Sequence, residues 1–96
     1  MARYVMLYRF TDQGRKNIKG TVRRADAVRK EMEAHGFKLI ARYWTLGQYD
    51  LVTIIEAPSE EALVAANFNV LEAGNVISQP LRAFSDEELL AVGAAL

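Results

Sequence analysis

From Tyr4 to Phe10 side chains alternate as in a strand, with Val5 and Leu7 on one face and Tyr4, Met6, Tyr8 and Phe10 on the other. Both faces are largely apolar. A strand covered on one side only would carry a polar outer face, so the second face is expected to meet a ligand or another subunit. Thr11-Asp12 ends the strand and offers a helix N-cap, and a short helical turn is predicted from Gln13 towards Lys19, broken at Gly20. Thr21 is then expected to cap a longer helix reaching about Ala34, with Val22, Ala25, Val28 and Met32 as its apolar stripe and His35-Gly36 as its end.

A second strand is predicted over Phe37 to Thr45 and a third over Leu51 to Ala57, joined by Leu46-Gly47-Gln48-Tyr49-Asp50, where Gly47 is free to take a positive φ. Pro58-Ser59-Glu60-Glu61 reads as a helix start, with Leu63, Ala66, Phe68, Val70 and Leu71 as apolar residues and Gly74 as the stop. Val76 to Phe84 is the last strand. Its Pro80 has no N–H to give a ladder, which places this strand at an edge or a bulge. Ser85-Asp86-Glu87-Glu88 forms a capping box before a Leu- and Ala-rich tail, so a terminal helix is expected.

The order β, α, β, β, α, β is that of a ferredoxin-like α+β fold, an antiparallel sheet with two helices on one face, here with an added C-terminal helix. Strand one is expected between strands three and four. That layout gathers Arg9 to Asp12, Thr45 to Asp50 and Gly74-Asn75 at one end of the sheet.

Length and composition narrow the function. The 96 residues predict one domain spanning 1–96, and the 51% hydrophobic content exceeds what one small core hides, which favours association. Twelve basic residues balance twelve acidic ones, so no overall field draws the chain to nucleic acid or to an anionic membrane. The densest basic stretch, Arg15 to Arg24, reads as a solvated helix face and lacks interleaved aromatic residues. With no cysteine, thiolate catalysis and Cys-ligated metals are excluded, and a reducing cytoplasm is the expected address. No apolar run approaches the ~18 residues of a membrane span, and no apolar leader precedes the first strand.

If Val5 and Leu7 face the helices, so does Arg9, and Asp50 shares the side of Val52 and Ile54. The two would then meet in the cleft between sheet and helices. There they would either orient a small polar ligand, with Asp50 available as a base, or form an ion pair that pins the hairpin to strand one. Asp50 has a third use, accepting hydrogen bonds from its own turn. Tyr43, Trp44 and Tyr49 cluster around the hairpin, near Tyr8 and Phe10, either as an aromatic ligand pocket or as core and dimer contacts. The single histidine, His35, sits at a helix C-terminus, where a structural role is expected, at the end of the sheet remote from the hairpin. Arg82 and Glu56 are expected to pair at that same far end. Asp12, Asn17 and Lys19 read as capping residues, since no glycine-rich phosphate loop accompanies them. No Ser/His/Asp triad, metal-ligand spacing or paired carboxylates are present, so no cofactor and no metal are expected.

Several stretches in order, namely Phe10-Thr11-Asp12-Gln13-Gly14, Asn17-Ile18-Lys19, Tyr43 through Val52, Glu56-Ala57-Pro58, Gly74-Asn75-Val76 and Leu81-Arg82-Ala83-Phe84, resemble the GYD family. The resemblance spans nearly the whole chain. It implies the dimeric α+β barrel group, in which two ferredoxin-like sheets close into a barrel; related barrels include cofactor-free monooxygenases, lactone isomerases, haem-degrading enzymes and effector-sensing domains. Arg15 and Ser78-Gln79-Pro80 depart from the family pattern. The resulting expectation is a homodimer that binds a small molecule at the strand-one and hairpin end, through Arg9, Tyr43, Trp44, Tyr49 and Asp50. The alternatives are a cofactor-independent enzyme of the barrel type and a purely structural or partner-binding dimer.

Overall fold

The structure is a computed structural model that describes residues 1–93; the end of the predicted terminal helix, 94–96, lies outside the described residues. Strand β1 (Ala2–Phe10) leads through α1 (Asp12–Lys16) and a 3-10 turn (Ile18–Gly20) into α2 (Thr21–Ala34). The hairpin β2 (Lys38–Trp44) and β3 (Leu51–Ala57) follows, then α3 (Glu60–Ala73), β4 (Val76–Ala83) and α4 (Asp86–Gly93). The sheet order is β2-β3-β1-β4 with every neighbour antiparallel, the ferredoxin-like arrangement. Pro80 lies in β4, an edge strand, as its missing N–H requires.

Local signals in the sequence explain most boundaries. The Ser59 hydroxyl accepts from the Ala62 amide to cap α3, and Gly74, at φ 83°, ends it in the left-handed conformation. At α4 the box closes both ways, with Glu88 N–H donating to Ser85 Oγ and Ser85 N–H to the Glu88 carboxylate, each at 3.1 Å. The Ser85 amide, helped by Arg82, holds the Glu88 carboxyl below the usual range. Thr21 differs from expectation: it is the first helical residue, Gly20 takes the cap position, and no side chain bonds the free amides there.

The core lies under the helices. Tyr4, Met6, Ile55 and Ala57 of the sheet pack with Phe37 and with Leu63 of α3, while Met32 of α2 covers the edge. This reverses the expected parity of β1. Tyr4, Met6, Tyr8 and Phe10 face the helices with Leu51, Thr53 and Ile55, and Val5, Leu7 and Arg9 lie on the open face with Val52 and Ile54. Arg82 and Glu56 also part company: Glu56 pairs with Arg3 at 3.2 Å and Arg82 with Glu88 at 3.3 Å. Glu56 is on the open face opposite Arg3, whereas Arg82, opposite Tyr4, is on the helix side.

Candidate functional site

Between α2, α3 and the sheet runs a cleft of about 580 Å³, within the ~300–1,000 Å³ span of ligand pockets. It exists because α3 turns small side chains to it, Ala62, Ala65, Ala66 and Ala73, so this helix cannot fill the space above the strands. Of its larger residues Asn69 and Val70 reach the cleft, whereas Leu63 is buried in the core and Val64 and Phe68 are exposed on the outer side. Across the floor the cleft is walled by Leu39, Leu51 and Ile55. Phe10 and Trp44 stack at its hairpin end with ring centroids 6.5 Å apart and planes at 19°.

Polar groups interrupt these apolar walls, among them Arg24, Arg42, Thr53 and Tyr8. Arg42 donates one guanidinium nitrogen to Asp26 at 2.9 Å, and Arg24 donates one to the Asn17 carbonyl at 2.7 Å. The other terminal nitrogen of each, Nη1 of Arg42 and Nη2 of Arg24, is buried without a hydrogen-bond partner, as is Thr53 Oγ1. All three residues line the cleft. A buried polar atom left unmatched costs about 1–3 kcal/mol, so three in one place is an unusual concentration. Thr53 stands directly opposite Arg42 across the β2–β3 ladder, and Tyr8 is beside it on β1.

Burial pushes the Tyr8 hydroxyl above its ordinary value of 10.0. The unfolded chain therefore gives up this proton at lower pH than the folded one. Stability that is complete below the unfolded value is lost as pH climbs through the folded value. Urea unfolding of the wild type is expected to weaken as pH climbs past the ordinary tyrosine value of 10.0, and Tyr8→Phe to flatten that decline. An equal decline in the variant would assign it to other groups.

The model of the GYD domain matches residues 4–92. The chain belongs to the GYD domain family. It is also similar to a protein of Thermus thermophilus named glutamine synthetase and cystathionine beta-lyase binding protein. The two are 28% identical over 92 residues, which cover 95% of this chain and 97% of that protein.

Of the five residues expected to form a site, this GYD domain places only Trp44 in the cleft. Arg9 is on the open face opposite Ile77, and Tyr43 is there opposite Val52, largely exposed. Tyr49 reaches across that face, its hydroxyl donating to Gln79 at 2.7 Å. Asp50 makes no ion pair with Arg9: its carboxylate accepts from the Phe10 amide at 2.9 Å, and its own amide donates to the Tyr8 carbonyl at 2.8 Å. These two bonds clamp the hairpin to β1, and this holds Trp44 against Phe10. Asp50→Ala leaves the Phe10 N–H without its charged acceptor and is expected to cost about 1.5–3 kcal/mol, while Asp50→Asn keeps an acceptor and costs about 1 or less. Equal losses in urea unfolding would show that the bond to Phe10 is not what Asp50 contributes.

His35 closes α2, its imidazole bonded to the Glu31 carbonyl at 2.8 Å, and it stands at the cleft's mouth farthest from Trp44. Among the described residues no group of three His, Asp or Glu could hold a metal ion, and no helix is long and apolar enough to cross a membrane. Arg24, Arg42 and Thr53 are the residues that sequence reasoning missed. The signal available was Arg42 itself, an arginine two residues before Trp44 and so on the same face of the same strand.

Proposed function

We propose that this GYD domain is a binding protein that holds a small molecule in the cleft between α2, α3 and the sheet, and that pairs with a second copy through the open sheet face. One observation carries the first part: a cleft of about 580 Å³ with apolar walls, into which three buried polar atoms without partners are set. Stability alone does not account for keeping such atoms when apolar residues of like volume would remove the cost. The open face supports the second part. Val5, Leu7, Val52 and Ile54 form an apolar centre, rimmed by the Arg3–Glu56 ion pair at one end and by Arg9, Tyr49 and Gln79 at the other.

Native mass spectrometry of the purified chain, set against its denatured mass, tests the cleft. The expected result is a bound species that is lost in Ala66→Leu, where a larger side chain enters the cleft, with urea stability changed by about 1 kcal/mol or less. A bare wild-type mass, together with unchanged emission of the single tryptophan, Trp44, on mixing with a small-molecule library, would sink this function.

A protein partner is the second reading, favoured by a particular surface. Val64, Phe68 and Leu71, at i, i+4 and i+7 of α3, are all exposed on one side of the helix. The Thermus relative is named for binding two enzymes. Glutamine synthetase from the organism that carries this chain is the partner to test, by co-elution with wild type and with Phe68→Glu. Co-elution of wild type and its loss in the variant would support this reading; separate elution of wild type would end it.

A further inference from the structure

We propose that the occupant of the cleft is an amphipathic monocarboxylate, its head group held between Arg24 and Arg42 and its apolar body lying along the sheet towards Ile55 and Leu39. This rests on the cleft being the binding site and adds the chemistry of what binds.

The two guanidinium groups stand at the same end of the cleft. Arg24 lies in the first turns of α2 and Arg42 is the third-last residue of β2, and Arg42 reaches Asp26, two residues beyond Arg24. Each is fixed by one nitrogen and offers the other. Arg42 is tied to Asp26 through Nη2 and presents Nη1; Arg24 is tied to the Asn17 carbonyl through Nη1 and presents Nη2. Anchoring of this kind removes the side-chain freedom that binding would otherwise have to freeze. Two cationic N–H donors from separate elements match an anion with two acceptor oxygens, and charge-assisted bonds of this sort are the strong ones.

The charge balance points to a single negative charge. Asp26 pairs with Arg42 at 2.9 Å and lies 3.9 Å from Arg29, a third arginine of the lining, which is itself paired with Glu33 at 2.8 Å. Arg24, anchored by a neutral carbonyl, is left as the unmatched positive charge of the three. Thr53, opposite Arg42, and Tyr8 beside it add hydroxyls at the floor, where a carboxylate oxygen has a further donor. Beyond these groups Leu39, Ile55, Val28 and Val70 line the way to the far mouth, where the exposed Glu31, Glu33, His35 and Lys38 form a polar rim. A small inorganic anion would leave that surface uncovered, and a neutral apolar molecule would leave the guanidinium nitrogens unmatched.

Trp44 lines the cleft and is the only tryptophan, so its emission reports occupancy. The probes are butyrate, hexanoate, octanoate and 3-phenylpropionate, with 3-phenylpropionamide and octanamide as neutral counterparts. At least one longer acid is expected to change the emission saturably, at least tenfold more tightly than its amide. Butyrate is expected to be weakest among the acids. Arg24→Met, which keeps the stem and removes the charge, should weaken the acid at least tenfold and leave the amide within about threefold. Arg42→Met should do the same if it folds, and Arg24→Met keeps the test open if it does not. Acid and amide binding equally would overturn the carboxylate head while leaving the cleft as a site. Tighter binding of octyl phosphate than of octanoate would also overturn it, in favour of a phosphate head. No saturable response to any probe up to millimolar concentration would overturn both this inference and the function on which it rests.

Discussion

Met6→Ala is expected to lower the unfolding free energy by about 2–5 kcal/mol, a large part of the ~5–15 kcal/mol that holds a domain of this kind together. Met6 is 2% exposed and packs under the helices with Tyr4, Ile55 and Leu63, so truncation removes its contacts and leaves a void that the strands cannot close. Leu7→Ala, one residue along the same strand, is the matched control. Its side chain lies on the open face opposite Val52, only half-buried in one copy of the chain. In dilute protein it should cost less than Met6→Ala, because part of its surface stays in water when a single copy folds and its loss opens no enclosed void. If the open faces pair, that cost grows as concentration rises, since association then contributes to stability. Urea unfolding of both variants at two protein concentrations measures all of this. A larger loss for Leu7→Ala in dilute solution would contradict the orientation of β1.

That orientation was the part of the fold least legible in the sequence. The elements and their order follow from local chemistry: the caps at Ser59 and Ser85, the left-handed glycines at 36, 47 and 74, and the unbroken run from Leu51 to Ala57. Order and pairing together placed Thr11 beside Gly74 and Asn75, where its amide donates to the Asn75 carbonyl at 3.0 Å. Which side of β1 is inside could not be taken from alternation, because both sides are apolar. A weaker signal was present. Arg3 and Arg9 share the parity of Val5 and Leu7, and Glu56 shares that of Val52 and Ile54, so the charges at the strand ends mark the face turned from the core.

The site was hidden for a related reason. With Val5 and Leu7 inward, Arg9 and Asp50 would enter the cleft and Tyr8 would not; in the structure Tyr8 and Phe10 are the β1 residues that line it. In β2 the register shifts between Leu39 and Ala41, so Ile40 is an extra residue and the inward positions are Leu39, Arg42 and Trp44. No glycine or proline in that stretch announces a bulge. An arginine there reads as outward from composition alone, since arginine seldom points inward. Its inward position becomes intelligible only with Asp26 in place, in the second turn of a helix that precedes it in the chain.

Ile54→Lys is expected to convert the proposed dimer to monomer while leaving the folded chain intact. Ile54 lies opposite Val5, in the middle of the apolar patch that includes Leu7 and Val52, and it is only half-buried in a single copy. Covering such a patch removes several large side chains from water, each worth about 1.5–3 kcal/mol when fully buried. A lysine at the centre withdraws one of these contributions and faces its symmetry mate across the two-fold axis, so a charge is desolvated twice over. A combined loss of about 3 kcal/mol or more raises the dissociation constant at least roughly a hundredfold. In a monomer the lysine is free to extend its ammonium into water beside Glu56 and Arg3, and the core beneath the helices is untouched. Sedimentation equilibrium at tens of micromolar should therefore give a dimer mass for wild type and a monomer mass for Ile54→Lys, with matching circular dichroism. A monomer mass for wild type would remove the dimer from the proposal and leave the cleft, which lies on the opposite side of the sheet, as a site complete within one chain.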